Sequence, residues 1–346
     1  MAKYSFRNDY SEGAHRQILE TLLDTSLIQD EGYGEDEYCK EAISLIREKI
    51  QNPQADIHFV SGGTQANLIV ISSMLKSYES IVAATTSHIF THEAGAIEYT
   101  GHKINNVETK NGKLKVCDIQ SVIDFHTDEH MVKPKAVFIS NATELGTVYN
   151  KKELEELSAF CKKNKLYLYL DGARLGSALC SEYNDFSISE LAKLVDVFYI
   201  GGTKNGALIG EAIVIVNEQL KENFRFHLKQ KGALLAKGRI LGIQFLELFK
   251  DDLFFDLAKH ANLMATNLSI GIKKLEYSFL TEPASNQIFP ILPNTIIEKI
   301  SEKYGFYVWS KFDENNSVIR LVTSWATQEK FVNEFIEDLE ILGSGK

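Results

Sequence analysis

The sequence predicts an α/β fold: a mostly parallel sheet with helices on both faces, joined to a smaller C-terminal α+β domain. Three observations carry that prediction. From about residue 55 to 216, short apolar and β-branched runs alternate with stretches whose apolar residues recur at helical spacing. One of these runs, Leu166–Leu170, holds only apolar residues and tyrosine, as a strand covered on both sides requires. After about residue 232 the texture changes to long helical patterns followed by short strand patterns.

In chain order, residues 1 to about 50 read as a mostly helical segment with an acidic turn, Asp30-Glu31-Gly32-Tyr33-Gly34-Glu35-Asp36. Strands are expected at Asp56–Val60, Ser80–Ala84, Lys135–Ser140, Leu166–Leu170, Val195–Ile200 and Ala212–Val216. Helices such as Thr64–Lys76 and Lys151–Lys163 lie between them. Helical patterns at Gly232–Phe249 and Asp251–Leu268 lead to strands near Ser285–Pro290, Phe306–Ser310 and Val318–Val322. Gln328–Leu342 closes the chain as a helix. The expected division is an N-terminal segment over 1–50 that contributes to the site, a large domain over 51–250 and a small domain over 251–346. With 5 prolines and no low-complexity tract, no flexible linker separates them.

The 346 residues carry 37 basic and 47 acidic side chains, a formal net charge of −10, with no clustered basic face. That argues against a nucleic-acid partner, because affinity for the phosphate backbone is mostly electrostatic. No run nears the roughly 20 apolar residues that cross a bilayer, and the first residues lack the apolar stretch of a secretory leader. Cys39, Cys117, Cys161 and Cys180 form no C-x-x-C pair. They read as small core residues of a protein in a reducing, cytoplasmic compartment.

In an open α/β sheet, ligands bind beyond the carboxyl ends of the strands, so the residues following each strand matter most. Asp56–Val60 is followed by Ser61-Gly62-Gly63-Thr64-Gln65-Ala66-Asn67, which opens a helix. The stretch is either an ordinary cap or an anion cradle made of backbone N–H groups and the helix dipole. Leu166–Leu170 is followed by Asp171-Gly172-Ala173-Arg174. A carboxylate there needs a cation, either Arg174 in a structural ion pair or a cationic ligand. Val195–Ile200 is followed by Gly201-Gly202-Thr203-Lys204-Asn205-Gly206. Lys204 is a surface-loop lysine or, held dry among small residues, an amine nucleophile able to condense with a carbonyl. Together these motifs place an anion cradle, an acid and an amine at one edge of one sheet. Pyridoxal 5′-phosphate needs all three.

With these motifs the chain resembles the aspartate aminotransferase-type, fold type I pyridoxal phosphate enzymes. Within them it is similar to the L-threonine aldolase family of the beta-eliminating lyase superfamily. The resemblance runs from about Phe6 to Trp325. It rests on Arg7-Asn8-Asp9-Tyr10-Ser11, Gly32-Tyr33-Gly34-Glu35-Asp36, Gly63-Thr64-Gln65-Ala66-Asn67, His88 through Gly95, Ala142-Thr143-Glu144-Leu145-Gly146, Asp171 to Arg174, Gly201 to Gly206 and Ile319-Arg320-Leu321-Val322. It implies a seven-stranded, mostly parallel sheet in the large domain and cofactor attachment at Lys204. Asp171 would meet the ring nitrogen, His88 would stack on the ring, and Gly63 and Thr64 would bind the phosphate. Lys237, and with it Lys229, would complete the phosphate site from a neighbouring subunit. Arg174, also counted among the cofactor contacts, would hold the substrate carboxylate with Arg320 and Asn8. The implied reaction is retro-aldol cleavage of L-threonine or L-allo-threonine to glycine and acetaldehyde, by a homodimer or homotetramer with shared active sites.

The chain departs from the commoner family pattern at Glu144, where many members carry a second histidine. His88, Glu144 or a bound water remain alternatives for the base that takes the β-hydroxyl proton. His92 would share a helix face with His88 and line the substrate pocket or support it. His126 and His130 bracket two acids in a polar connection and read as a solvated loop, so no metal site is expected. Two rivals stand beside the aldolase reading: another fold type I enzyme (an aminotransferase, racemase or β-eliminating lyase), and a non-catalytic cofactor-binding homologue.

Overall fold

The chain enters through a short strand, β1 (Tyr4–Ser5), paired in parallel with Tyr304–Gly305 near its other end. Helices α1 (Arg16–Asp24) and α2 (Glu37–Lys49) follow. Asp36 caps α2 by accepting the Cys39 N–H at 2.9 Å, a contact worth about 1 kcal/mol. The computed structural model describes residues 3–344.

The next stretch runs β2 (Asp56–Val60), α3 (Gly63–Met74), β3 (Glu79–Ala84), α4 (His88–Thr91), α5 (Ala96–Tyr99), β4 (Lys103–Val107), α6 (Val116–Phe125) and β5 (Lys133–Ser140). It continues with α7 (Lys151–Lys163), β6 (Tyr167–Asp171), α8 (Leu175–Leu179), α9 (Ile188–Leu194), β7 (Val197–Gly201) and β8 (Glu211–Ile215). The strands form one seven-stranded sheet in the order β2-β8-β7-β6-β5-β3-β4. Within it only β8 runs against its neighbours, β2 and β7. The reason is local: β7 returns to β8 through a hairpin, whereas parallel neighbours need a longer crossover. β4 was not apparent in the sequence because Lys103, Asn105 and Asn106 break the apolar pattern at this sheet edge.

Alternation along the strands builds two cores. Phe198, Ile200, Ala212 and Val214 face a cluster closed by α1, α2, α6, α7 and α9. Their sequence neighbours Val197, Tyr199, Ile213 and Ile215 face the opposite cluster, closed by α3 and α5. Period-2 alternation with apolar residues on both faces is the mark of a sheet sandwiched between helix layers. Of the cysteines expected in the core, Cys39 and Cys161 are buried, but Cys117 is exposed on the first turn of α6.

Beyond the sheet come α10 (Phe224–Gln230), α11 (Arg239–Lys250) and the long α12 (Leu253–Lys274). The helical pattern expected from Gly232 becomes helix only at Arg239. The last elements are β9 (Gln287–Ile288), β10 (Ile291–Pro293), α13 (Asn294–Ile300), β11 (Tyr304–Gly305), β12 (Tyr307–Lys311), β13 (Asn316–Val322) and α14 (Glu329–Gly343). β13 pairs antiparallel with β9, β10 and β12. A third core gathers Leu268, Ile319, Leu321 and Phe335 around Phe6, whose carbonyl accepts the Val322 N–H at 2.9 Å. Phe6 thus ties the N-terminal segment to β13, and the polar residues just after it run toward the cleft. Among the described residues no helix is long and apolar enough to cross a membrane.

Candidate active site

The carboxyl ends of β2, β5, β6 and β7 open onto a cavity of about 890 Å³, which β12 and β13 also line. This is where an open α/β sheet binds its ligands. The ends of β6 and β7 meet closely because Gly172 has no side chain: a Cβ there would lie 1.8 Å from the Tyr199 carbonyl oxygen.

Asp171 is the last residue of β6 and is 5% exposed. Its Oδ1 accepts from the Tyr199 hydroxyl at 2.6 Å and the Ala173 N–H at 3.0 Å. Its Oδ2 accepts from Asn67 Nδ2 at 3.2 Å. Arg174, the structural ion-pair partner weighed from sequence, pairs elsewhere. Its Nε and Nη2 reach Asp9 Oδ2 and Oδ1 at 2.8 and 3.0 Å, a fork matched to a carboxylate. Burial alone would raise the Asp9 pKa, but Arg174, Lys204 and a hydrogen bond from Asn286 outweigh it and lower it. Asp171 is therefore held by neutral donors, and its charge remains available to a ligand.

Lys204 sits in the β7–β8 hairpin and lines the same cavity. It makes no salt bridge with another described residue. Burial, then the charge of Arg174, lowers its pKa, while Asp9, Asp171 and Glu211 oppose the shift. A desolvated, untethered amine is what a carbonyl-condensing lysine requires.

His88 opens α4, with Nδ1 2.8 Å from Glu93 Oε1. That oxygen also accepts from Asn67 Nδ2 at 2.7 Å, and Asn67 Oδ1 accepts from the Tyr169 hydroxyl at 2.8 Å. Asn67 therefore bridges the two carboxylates, Glu93 and Asp171. Glu144 Oε1 accepts from the His88 N–H at 2.9 Å and the Ser140 hydroxyl at 2.7 Å. Burial and the nearby charge of Asp171 raise the Glu144 pKa against those hydrogen bonds. His92 is the residue that ends α4, its ring 5.6 Å from that of His88. Burial, then His88 and Arg320, lowers its pKa.

Gly63 and Thr64 line the cavity at the start of α3, whose cap residue Gly62 makes no side-chain cap bond. A Cβ on Gly63 would lie 2.9 Å from the Tyr199 hydroxyl oxygen, so only glycine lets the helix start approach this closely. Arg320 comes from β13 and lies over the rings of Tyr307 and Trp309 at 5.4 and 5.3 Å. Its Nη2 donates to the Arg7 carbonyl at 3.2 Å, and its buried Nε is unpartnered among the described residues.

Three expected residues do not line this cavity in the single chain. Asn8 folds back, its Oδ1 accepting from the Tyr10 N–H and the Ser11 hydroxyl. Lys229 lies over the Tyr33 ring at 4.7 Å, and Lys237 is exposed just before α11. Other residues of the site carried no role in the sequence reading: Asn67, Glu93, Tyr199, Asp9 and Glu211. Tyr199 did leave a trace, as a polar group on an otherwise apolar strand.

The donor set fits pyridoxal phosphate. An uncapped helix start suits the phosphate, a buried carboxylate suits a protonated ring nitrogen, and a free amine suits the aldehyde.

Comparison with known proteins agrees with this chemistry. The beta-eliminating lyase family model matches residues 7–294. A low specificity L-threonine aldolase of Pseudomonas aeruginosa is 31% identical over 97% of each chain. The structure of a threonine aldolase of Leishmania major superposes with a TM-score of 0.97 at 49% identity, covering 98% of this chain and 99% of that one. An aromatic aminotransferase of Pyrococcus horikoshii, 17% identical, shares the fold alone, with a TM-score of 0.72 over 99% of this chain and 96% of that one. On the cavity and these matches together, the chain belongs to the beta-eliminating lyase family.

Proposed function

We propose that this chain is a pyridoxal phosphate-dependent aldolase that splits L-threonine and L-allo-threonine into glycine and acetaldehyde. The observation that carries the reading is the pairing, in one cavity, of the untethered Lys204 amine with the anchored Asp171 carboxylate. Bound pyridoxal phosphate supplies an aldehyde for an amine and a ring that accepts the electron pair released at the substrate α-carbon. Lys204 would hold it covalently, Asp171 would keep its ring nitrogen protonated, and Gly63 and Thr64 would bind its phosphate.

The guanidinium hydrogens of Arg174 and Arg320 not engaged by Asp9 and Arg7 are suited to the substrate carboxylate. Holding that group fixes which bond at the α-carbon stands across the ring, and an aldolase must place Cα–Cβ there. A proton must also leave the β-hydroxyl. His88 Nδ1 lies 2.8 Å from Glu93 Oε1; a neutral ring that donates from Nδ1 to that carboxylate would keep a lone pair on Nε2 to receive it. Glu144 holds the backbone of His88, and His92 lines the substrate side.

We also assign a homodimer or homotetramer, in which a second copy brings Lys237 to the phosphate and no metal takes part. The four free thiols suit a reducing compartment such as the cytoplasm. The test is to load the chain with pyridoxal phosphate, add L-allo-threonine or L-threonine, and assay acetaldehyde. Stoichiometric glycine and acetaldehyde are expected. Amino exchange between alanine and a keto acid, with no aldehyde from either substrate, would overturn the reading in favour of an aminotransferase.

A further inference from the structure

The two arginines that line the cavity are held in different ways. Arg174 is gripped by the buried Asp9 carboxylate. Arg320 forms no salt bridge with another described residue. Its Cζ lies over two rings instead, 5.4 Å from the Tyr307 centroid and 5.3 Å from that of Trp309. Tyr307 stands directly opposite Arg320 across the β12–β13 ladder. Trp309 is set differently: Val308 pairs with Ile319 and Ser310 with Val318, so the register shifts at Trp309 and leaves it without a partner. A bulge of this kind re-aims a side chain. The Trp309 ring is in turn met by the fully buried ring of Phe289, with centroids 5.3 Å apart and planes at 72°.

We infer that Trp309 and Tyr307 are positioning residues for substrate affinity, whose rings hold the Arg320 guanidinium in the cavity without neutralising it. The inference rests on the role assigned to Arg320 above. A carboxylate anchor, like that of Arg174, occupies donors and offsets charge, so a ligand must share the cation with it. A ring attracts the cation through its quadrupole and brings no negative charge of its own. The N–H groups of Arg320 then stay available to a carboxylate, which a guanidinium binds best as a fork. Its remaining contacts agree. Among the described residues only Nη2 is engaged, by the Arg7 carbonyl at 3.2 Å, and the buried Nε has no partner. A buried donor left unpaired is costly until a ligand meets it. Tyr307 is steadied from the N-terminal segment as well, with the Arg7 guanidinium 5.8 Å from its centroid.

The test uses the chain loaded with pyridoxal phosphate and follows its visible band as glycine or methylamine is added. Both offer an amine, and only glycine carries a carboxylate. Trp309→Leu should weaken glycine about 10-fold, the worth of a partly desolvated cation–π contact, and leave methylamine unchanged. In aldehyde release from L-allo-threonine, KM should rise by a similar factor, with kcat within about 3-fold because Arg174 still orients the carboxylate. Trp309→Phe keeps a ring and should recover most of the loss. Tyr307→Leu, at a position 47% exposed, should give the same split at about 3-fold, and it decides the matter should Trp309→Leu not fold.

Three results would each overturn the inference: glycine affinity unchanged in the leucine variants, equal losses for glycine and methylamine, or a Trp309→Phe loss as large as that of Trp309→Leu. If the unaltered chain binds glycine and releases aldehyde while the variants match it, only this inference fails. If the unaltered chain binds no glycine and releases no aldehyde, the function proposed above fails with it.

Discussion

The two neighbouring strand ends that meet the cavity are built in opposite ways. At the end of β6, Asp171 is held by Tyr199, Asn67 and Ala173. One strand over, in the β7–β8 hairpin, Lys204 has no ion-pair partner among the described residues. A fixed charge and a mobile nucleophile need different surroundings. A buried carboxylate must be met by donors or its burial costs several kcal/mol. An amine that bonds, releases and bonds again is hindered by any strong tether. The contrast separates what is preorganised from what moves.

Changes at the fixed end should break that contrast most visibly. Replacing Asp171 with Asn removes the buried anion and should lower aldehyde release by about 10²-fold or more, by the usual weight of preorganised charge. Tyr199→Phe removes only one donor to that carboxylate, a hydrogen bond worth about 1.5–3 kcal/mol. Its loss should be roughly 10-fold to 10²-fold. Steady-state kinetics on both variants decide the point, and a Tyr199→Phe loss as large as that of Asp171→Asn would mean that the anchoring matters as much as the charge. The smallest effect is expected at Glu144→Gln, because an amide oxygen can still accept from Ser140 and the His88 N–H. Turnover should fall by less than about 10-fold, with cofactor affinity unchanged. A larger fall in kcat, with a changed pH profile, would make Glu144 rather than His88 the base.

The same contrast explains what could be read from the sequence. Strands covered on both faces, such as β7 and β8, are continuous apolar runs and stand out in the chain. The edge strand β4 is interrupted by Asn105 and Asn106, and β10 is three residues long, so neither leaves a periodic trace. Asp171 and Lys204 were legible because each follows an apolar strand among glycines. Their surroundings were not. The contact between Arg174 and Asp9 spans 165 positions and that between Asn67 and Asp171 spans 104, and no local pattern encodes such pairings. Glu211 was hidden for another reason: as the first residue of a strand it looks like an ordinary polar boundary, and only the antiparallel return of β8 turns it toward the lysine loop.

The central claim is that the Lys204 amine holds the cofactor. The most direct measurement is to load the chain with pyridoxal phosphate, reduce it with borohydride, digest it and locate the modified peptide by mass. The account predicts one modified residue, Lys204, and no modification together with no visible absorbance band in Lys204→Ala. A cofactor fixed to another lysine, or a Lys204→Ala variant that still acquires the band, would contradict it.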